Sequence, residues 1–179
     1  SSRRATLSVL TPNYDHGRYL ARAIEAVVSQ SRPPDEYIIL DDGSTDNSLE
    51  IIERYASRYS FIRVLRHSTN QGALASMREL LDIATGDYIY GGSADDYVLP
   101  GFFEESMNLL SRFPHAGLCC SDPAFLDGDS EAVSKSKLPW GNSARYFSLC
   151  ELARVIQGEA SGDIRASSGD RSLTTRAAI

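Results

Sequence analysis

Tyr37-Ile38-Ile39-Leu40 runs without interruption into Asp41-Asp42-Gly43-Ser44-Thr45-Asp46. Four consecutive β-type apolar residues, ended abruptly by an acidic turn, predict a strand buried on both faces. The pattern repeats outward in both directions. Leu7-Ser8-Val9-Leu10, Ile62 to Leu65, Tyr88-Ile89-Tyr90 and Gly117 to Cys120 are further strand candidates. Helical periods lie between them. Arg18 to Gln30 places Leu20, Ile24 and Val27 on one face, and Ser48 to Tyr59 does so with Leu49, Ile52 and Tyr55 after an N-cap at Asp46 or Asn47. Gly72 to Thr85 aligns Leu74, Met77, Leu81 and Ala84 and is stopped by Gly86 at C′. Pro100 opens a helix with Phe103, Met107 and Leu110 inward, and Phe147 to Gln157 carries a last one. Strands alternating with helices of this length predict an α/β fold with a mostly parallel sheet covered on both faces. Ligands of such sheets bind beyond the carboxyl ends of the strands, so the loops after each strand are the ones to inspect.

The chain has 179 residues, 42% of them apolar and 23% charged, as expected of one globular domain. Its net charge of −6 offers no basic surplus to a phosphate backbone, which argues against a nucleic-acid partner. No apolar run is long enough to span a membrane. A cytoplasmic protein, or one at the inner face of the cell membrane, is expected. Cys119, Cys120 and Cys150 form neither a disulfide framework nor a zinc pattern and read as buried small hydrophobes. From Gly158 onward the text turns small and polar, so residues 1–157 are expected to form the domain and 158–179 an irregular tail.

Two acidic clusters stand at strand ends: Asp41-Asp42 after the second strand, and Asp95-Asp96 a few residues after the fourth. Adjacent carboxylates in a concave site repel each other, and a hard cation such as Mg²⁺ or Mn²⁺ relieves that repulsion through oxygen ligands. Asp-rich turns also arise simply because Asp caps helices and tolerates tight turns. The loop Thr11-Pro12-Asn13-Tyr14-Asp15 follows the first strand, with Pro12 stiffening it and Tyr14 available as a platform for a base. His16, His67 and His115 are scattered, with no partner at metal-ligand or triad spacing, and read as surface or loop residues. Trp140 is either a loop anchor or a stacking surface for a sugar.

Taken in order, Thr11-Pro12-Asn13-Tyr14-Asp15, Ser29-Gln30, Asp41-Asp42-Gly43-Ser44-Thr45-Asp46, Asn70-Gln71-Gly72, Gly86-Asp87-Tyr88-Ile89 and Asp95-Asp96 resemble the signature of family-two glycosyltransferases. Each piece is weak; the ordered set, over residues 5 to about 125, is specific. The resemblance implies a GT-A fold, a nucleoside-diphosphate sugar donor with UDP favoured, a divalent metal (Mn²⁺ or Mg²⁺), and transfer with inversion. It further implies that Thr11 and Pro12 line the nucleobase, that Asp42 accepts from the base ring N–H with Asp41 in support, and that Gly72 lets the chain pass close to the donor. By the same resemblance Asp95 faces the ribose and Asp96 the metal, the pair forming the motif called DXD.

A family member continues into an acceptor-binding half that supplies a carboxylate base. Glu159 and Asp163 are weak candidates for that base here, and the acceptor (a sugar, lipid or protein) is not legible. The chain therefore reads as a donor half, expected to bind a nucleoside diphosphate but to transfer sugar poorly. A nucleotide-sugar-binding module without turnover is the alternative from another class. A dinucleotide-dependent oxidoreductase would show Gly-x-Gly-x-x-Gly after the first strand, and Thr11 to Arg18 contains only Gly17. A Mg-dependent phosphoryl-transfer domain of the dehalogenase type would show Asp-x-Asp-Gly-Thr, whereas here the two aspartates are adjacent.

Overall fold

The computed structural model describes residues 3–113, 116–121, 124–126 and 133–135. The chain divides into two compact units, Ser1–Phe103 and Glu104–Ile179. In the first, β1 (Leu7–Asn13), α1 (Gly17–Val28), β2 (Glu36–Asp41), α2 (Ser48–Ala56), β3 (Ile62–Arg66), α3 (Ala73–Ile83) and β4 (Tyr88–Gly91) alternate as the sequence predicts. The four strands form one wholly parallel sheet in the order β3-β2-β1-β4. From β1 the chain winds one way through β2 to β3, then α3 carries it back across the sheet to β4 on the other side of β1. The order reverses between β1 and β4, and open α/β sheets hold ligands at that switch point.

The apolar runs are continuous because both faces are covered. Leu10, Ile38 and Leu40 pack with Leu80 of α3, all fully buried, with Met77, Ile83 and Ala84 against them. On the other face α1 buries Leu20, Ile24 and Val27, the positions its period predicts. Fully burying one such side chain contributes about 1.5–3 kcal/mol.

Several expectations are corrected. Thr11, Pro12 and Asn13 belong to the end of β1, paired with Ile39, Leu40 and Asp41, and not to a loop. Proline is tolerated there because β4 pairs with β1 only as far as Leu10, whose carbonyl accepts from Gly92 N–H at 2.8 Å. Pro12, two residues on, faces the same side, where no neighbouring strand needs its missing donor. Helix α3 buries Ser76 and Leu80, while Leu74 is 89% exposed and Leu81 48% exposed. The inward face is rotated from the apolar period Leu74, Met77, Leu81 and Ala84, because a buried serine, Ser76, stands on it. Gly86 is not a helix C′ residue, since α3 ends at Ile83. Its Gly is required by close approach: a Cβ there would lie 2.6 Å from the Ser8 N atom.

Helix α4 (Phe102–Arg112) starts two residues after Pro100, at the end of the first unit, and Met107 and Leu110, in the second, are buried. Gly117 to Cys120 is not a strand; residues 116–121 have no regular structure. A short apolar run is an ambiguous strand signal. Cys119 and Cys120 are unpaired thiols, but Cys120 is exposed, contrary to the buried role expected. Ala124–Leu126 (β5) and Val133–Lys135 (β6) form an antiparallel pair that the sequence did not suggest. The expected helix at Phe147 to Gln157, the tail, Glu159, Asp163, His115, Trp140 and Cys150 lie outside the described residues.

Candidate donor-binding site at the carboxyl edge of the sheet

The loops after β1 and β2 are clasped reciprocally. Asp15, in the left-handed conformation at φ 52°, accepts from Thr45 N–H at 2.7 Å and Asp46 N–H at 3.2 Å. Asp46 returns the contact, accepting from Gly17 N–H at 2.8 Å and from Ser48 N–H at 2.9 Å. It thereby serves the first turns of α1 and α2 together, which Asn47, the N-cap residue without a side-chain cap bond, does not do. Gly17 is confined here, because a Cβ would lie 2.9 Å from the Asp46 carboxylate.

The adjacent aspartates face different partners. Asp41, fully buried, accepts from Asn13 Nδ2 at 3.0 Å and Ser44 N–H at 3.3 Å. Asp42, 2% exposed, accepts from Gly72 N–H at 2.8 Å on one oxygen, and from Gln71 N–H at 2.9 Å on the other. That second oxygen also meets Nδ1 of His67 at 2.7 Å. Burial alone would raise the Asp42 carboxyl, but the hydrogen bonds from Gln71, His67 and Gly72 outweigh it and hold the group below its ordinary value. The repulsion expected of this pair is thus relieved by directed donors. Gly72, at φ 94°, adopts a conformation open to glycine, and the space beyond its Cα is clear.

The second acidic pair lies on the loop after β4. Thr11, Tyr37, Tyr90, Ser93, Asp96 and Tyr97 line one cleft, at the switch point between β1 and β4. Thr11 is almost wholly buried, its hydroxyl 3.3 Å from that of Tyr37. Asp95 accepts from Ser93 Oγ, and this bond holds its carboxyl down. Partial loss of solvent around this exposed residue first, then the charge of Asp95, pushes the Asp96 carboxyl up. Burial and Asp96 push the neighbouring Tyr90 phenol up to about 12, so it stays neutral. Among the described residues no three His, Cys, Asp or Glu side chains gather at one point. A metal that completes its shell with substrate phosphates needs only one or two carboxylates. The Asp95–Asp96 pair fits that requirement, and a cation there would offset the repulsion from Asp95 that pushes the Asp96 carboxyl up.

Comparison with known proteins now decides the family. The model of "Glycosyl transferase family 2" matches residues 8–166. The chain belongs to that family. Within glycosyl transferase family 2, it is 39% identical over 103 residues to the uncharacterized glycosyltransferase YibD of Escherichia coli, covering 58% of this chain and 30% of that protein. It is 38% identical over 110 residues to the putative glycosyltransferase EpsE of Bacillus subtilis, covering 61% of this chain and 40% of that protein. The chain therefore spans less than half the length of either relative. The crystal structure of Staphylococcus aureus TarS 1–349 shares the fold with a TM-score of 0.64 and 19% identity, over 82% of this chain and 42% of that one. The mannosyltransferase PcManGT of Pyrobaculum calidifontis, in complex with GDP-Man and Mn²⁺, shares it with a TM-score of 0.58 and 18% identity, over 70% of this chain and 36% of that one. The fold is GT-A.

Three residues of this family-two chain make contacts that the sequence does not assign to them. Gln30, 5% exposed, ties the end of α1 to the far side of the acidic loop: Nε2 donates to Leu99 O at 2.9 Å, and Oε1 accepts from Phe103 N–H at 3.3 Å. Arg22 braces the same loop, its guanidinium 4.0 Å from the Tyr97 ring centroid and Nη2 donating to the phenol at 2.7 Å. Replacing Gln30 by Ala leaves the buried Phe103 N–H unpaired and takes one of two donors from Leu99 O, which keeps Phe102 N–H at 3.3 Å, for a loss of about 1–3 kcal/mol in urea unfolding. Hydrogen exchange at Phe103 is expected to accelerate with it. His67 lies in the loop after β3, as the sequence suggests, but its side chain is not at the surface: it is only 10% exposed. Its position directly after β3, at the edge where ligands bind, was the available signal.

No helix among the described residues is long and apolar enough to cross a membrane.

Proposed function

We propose that this chain carries the donor site of an inverting, metal-dependent glycosyltransferase that moves a sugar from a nucleoside diphosphate, UDP in preference, to an acceptor hydroxyl. The supporting observation is the placement of Asp96 and Thr11 on one cleft at the switch point of the sheet. TarS 1–349 has been crystallised with UDP-GlcNAc, and PcManGT with GDP-Man and Mn²⁺, which supports both ligand classes. In this reading Thr11, Pro12 and Tyr14 border the base. Asp42 accepts from a base ring N–H, while Asp41 fixes the strand end beneath it. Gly72 leaves room for the donor, Asp95 faces the ribose, and Asp96, with Asp95 beside it, holds Mn²⁺ or Mg²⁺. When bound, the metal would neutralise charge on the departing diphosphate.

Calorimetry with UDP-GlcNAc and with GDP-Man, each with and without Mn²⁺, tests the donor site. Metal-dependent binding of one of them is expected; binding of neither would sink the proposal. Sugar release and transfer measured on the same sample separate an enzyme from a module that only binds.

A further inference from the structure

His67 stands between two carboxylates. Nδ1 lies 2.7 Å from Asp42 Oδ1, and Nε2 lies 2.9 Å from Glu79 Oε2 on α3. A neutral imidazole carries one N–H and would turn a lone pair toward one of these oxygens. Only the doubly protonated ring makes both contacts as donors. The backbone completes the arrangement, since His67 N–H donates to Asp41 O at 2.9 Å. Of the other nearby charges, Arg66 is exposed at the end of β3, and the Asp41 carboxylate is engaged by Asn13 and Ser44. Asp42 and Glu79 are therefore the groups that meet the ring.

We propose that His67 is a positioning residue for nucleotide binding: as an imidazolium it ties Glu79 of α3 to Asp42 and so holds the 67–72 segment, with Gly72, in its binding conformation. The proposal rests on the donor-site reading of Asp42. It makes donor affinity proton-linked through a residue that need not touch the donor. The hydrogen bonds to Asp42, then to Glu79, raise the His67 ring above its ordinary value of 6.5. A raised histidine contributes fully below that ordinary value, and its contribution is lost as pH rises through the folded one. Glu79, with 43% of its side chain exposed, is the partner that lets go when the proton leaves, because water can take it up.

The ring is read by NMR of its nitrogens between pH 5 and 9. Both nitrogens are expected to be protonated at pH 6, with a midpoint above 6.5 that falls in Glu79→Gln. A ring that is neutral at pH 6 overturns the proposal without reference to any ligand. The positioning role is read by calorimetry with Mg²⁺ and UDP or GDP, whichever the wild type binds more tightly, at pH 6 and pH 9. Wild type is compared with His67→Gln, and with Glu79→Gln should the first variant fail to fold. Comparing the two proteins at each pH cancels the ligand's own titration. Wild type should bind about tenfold more tightly than the variant at pH 6, with the advantage closing toward pH 9. An advantage independent of pH overturns the positioning role. Absence of nucleotide binding by wild type at every pH would overturn the donor-site reading and the positioning role with it, while the charge of the ring is still decided by NMR.

Discussion

Asp96→Ala is expected to abolish the stimulation of donor binding by Mn²⁺ or Mg²⁺ while leaving the fold intact. Asp96 is exposed and makes no hydrogen bond that supports the loop; that work falls to Ser93, Arg22 and Gln30. Its removal relieves the repulsion from Asp95, so urea unfolding should change by less than about 0.5 kcal/mol. The loss at the site is one charged ligand, roughly 1.5–3 kcal/mol or about ten- to a hundredfold in affinity. Calorimetry with and without metal measures it. Equal binding by wild type and variant, unaffected by metal, would remove Asp96 from the role proposed for it.

Asp42→Ala is expected to weaken nucleotide binding with or without metal, and also to destabilise the protein. The carboxylate is buried, and its loss strands Gln71 N–H and one end of the His67 ring and leaves Gly72 N–H with Asn70 Oδ1 alone. Breaking a buried charged pair from one side costs about 3–5 kcal/mol. The pH dependence separates this from a generic core defect. Because the Asp42 carboxyl is held below its ordinary 3.8, its contribution is complete above that value and is lost as pH falls through the folded one. The wild type should therefore lose more stability than Asp42→Ala on acidification below about pH 4. Parallel acid-unfolding curves for the two proteins would contradict the assignment.

What was legible in the sequence was whatever left a periodic or ordered trace. Four parallel strands, the inward face of α1 and the two acidic strand ends all follow from apolar runs and punctuation. What was not legible depended on partners distant in the chain. His67 has meaning only beside Asp42 and Glu79, and Gln30 only beside Leu99 and Phe103. Likewise, Gly86 is a glycine because of Ser8, almost eighty residues away. The face of α3 was misjudged because a buried serine is invisible to an apolar count. Pro12 reads as a loop residue in sequence, since its tolerance in β1 depends on where β4 stops.

The exchange of carboxylates between Asp15 and Asp46 has a practical consequence for engineering. Each loop supplies the acceptor that the other loop's amides require, so the stretches 14–17 and 43–48 behave as one part. A graft that imports either stretch alone from a relative leaves two amides or one carboxylate facing the wrong sequence. Recombination of donor specificity in this scaffold must cut outside both stretches, or carry them across together.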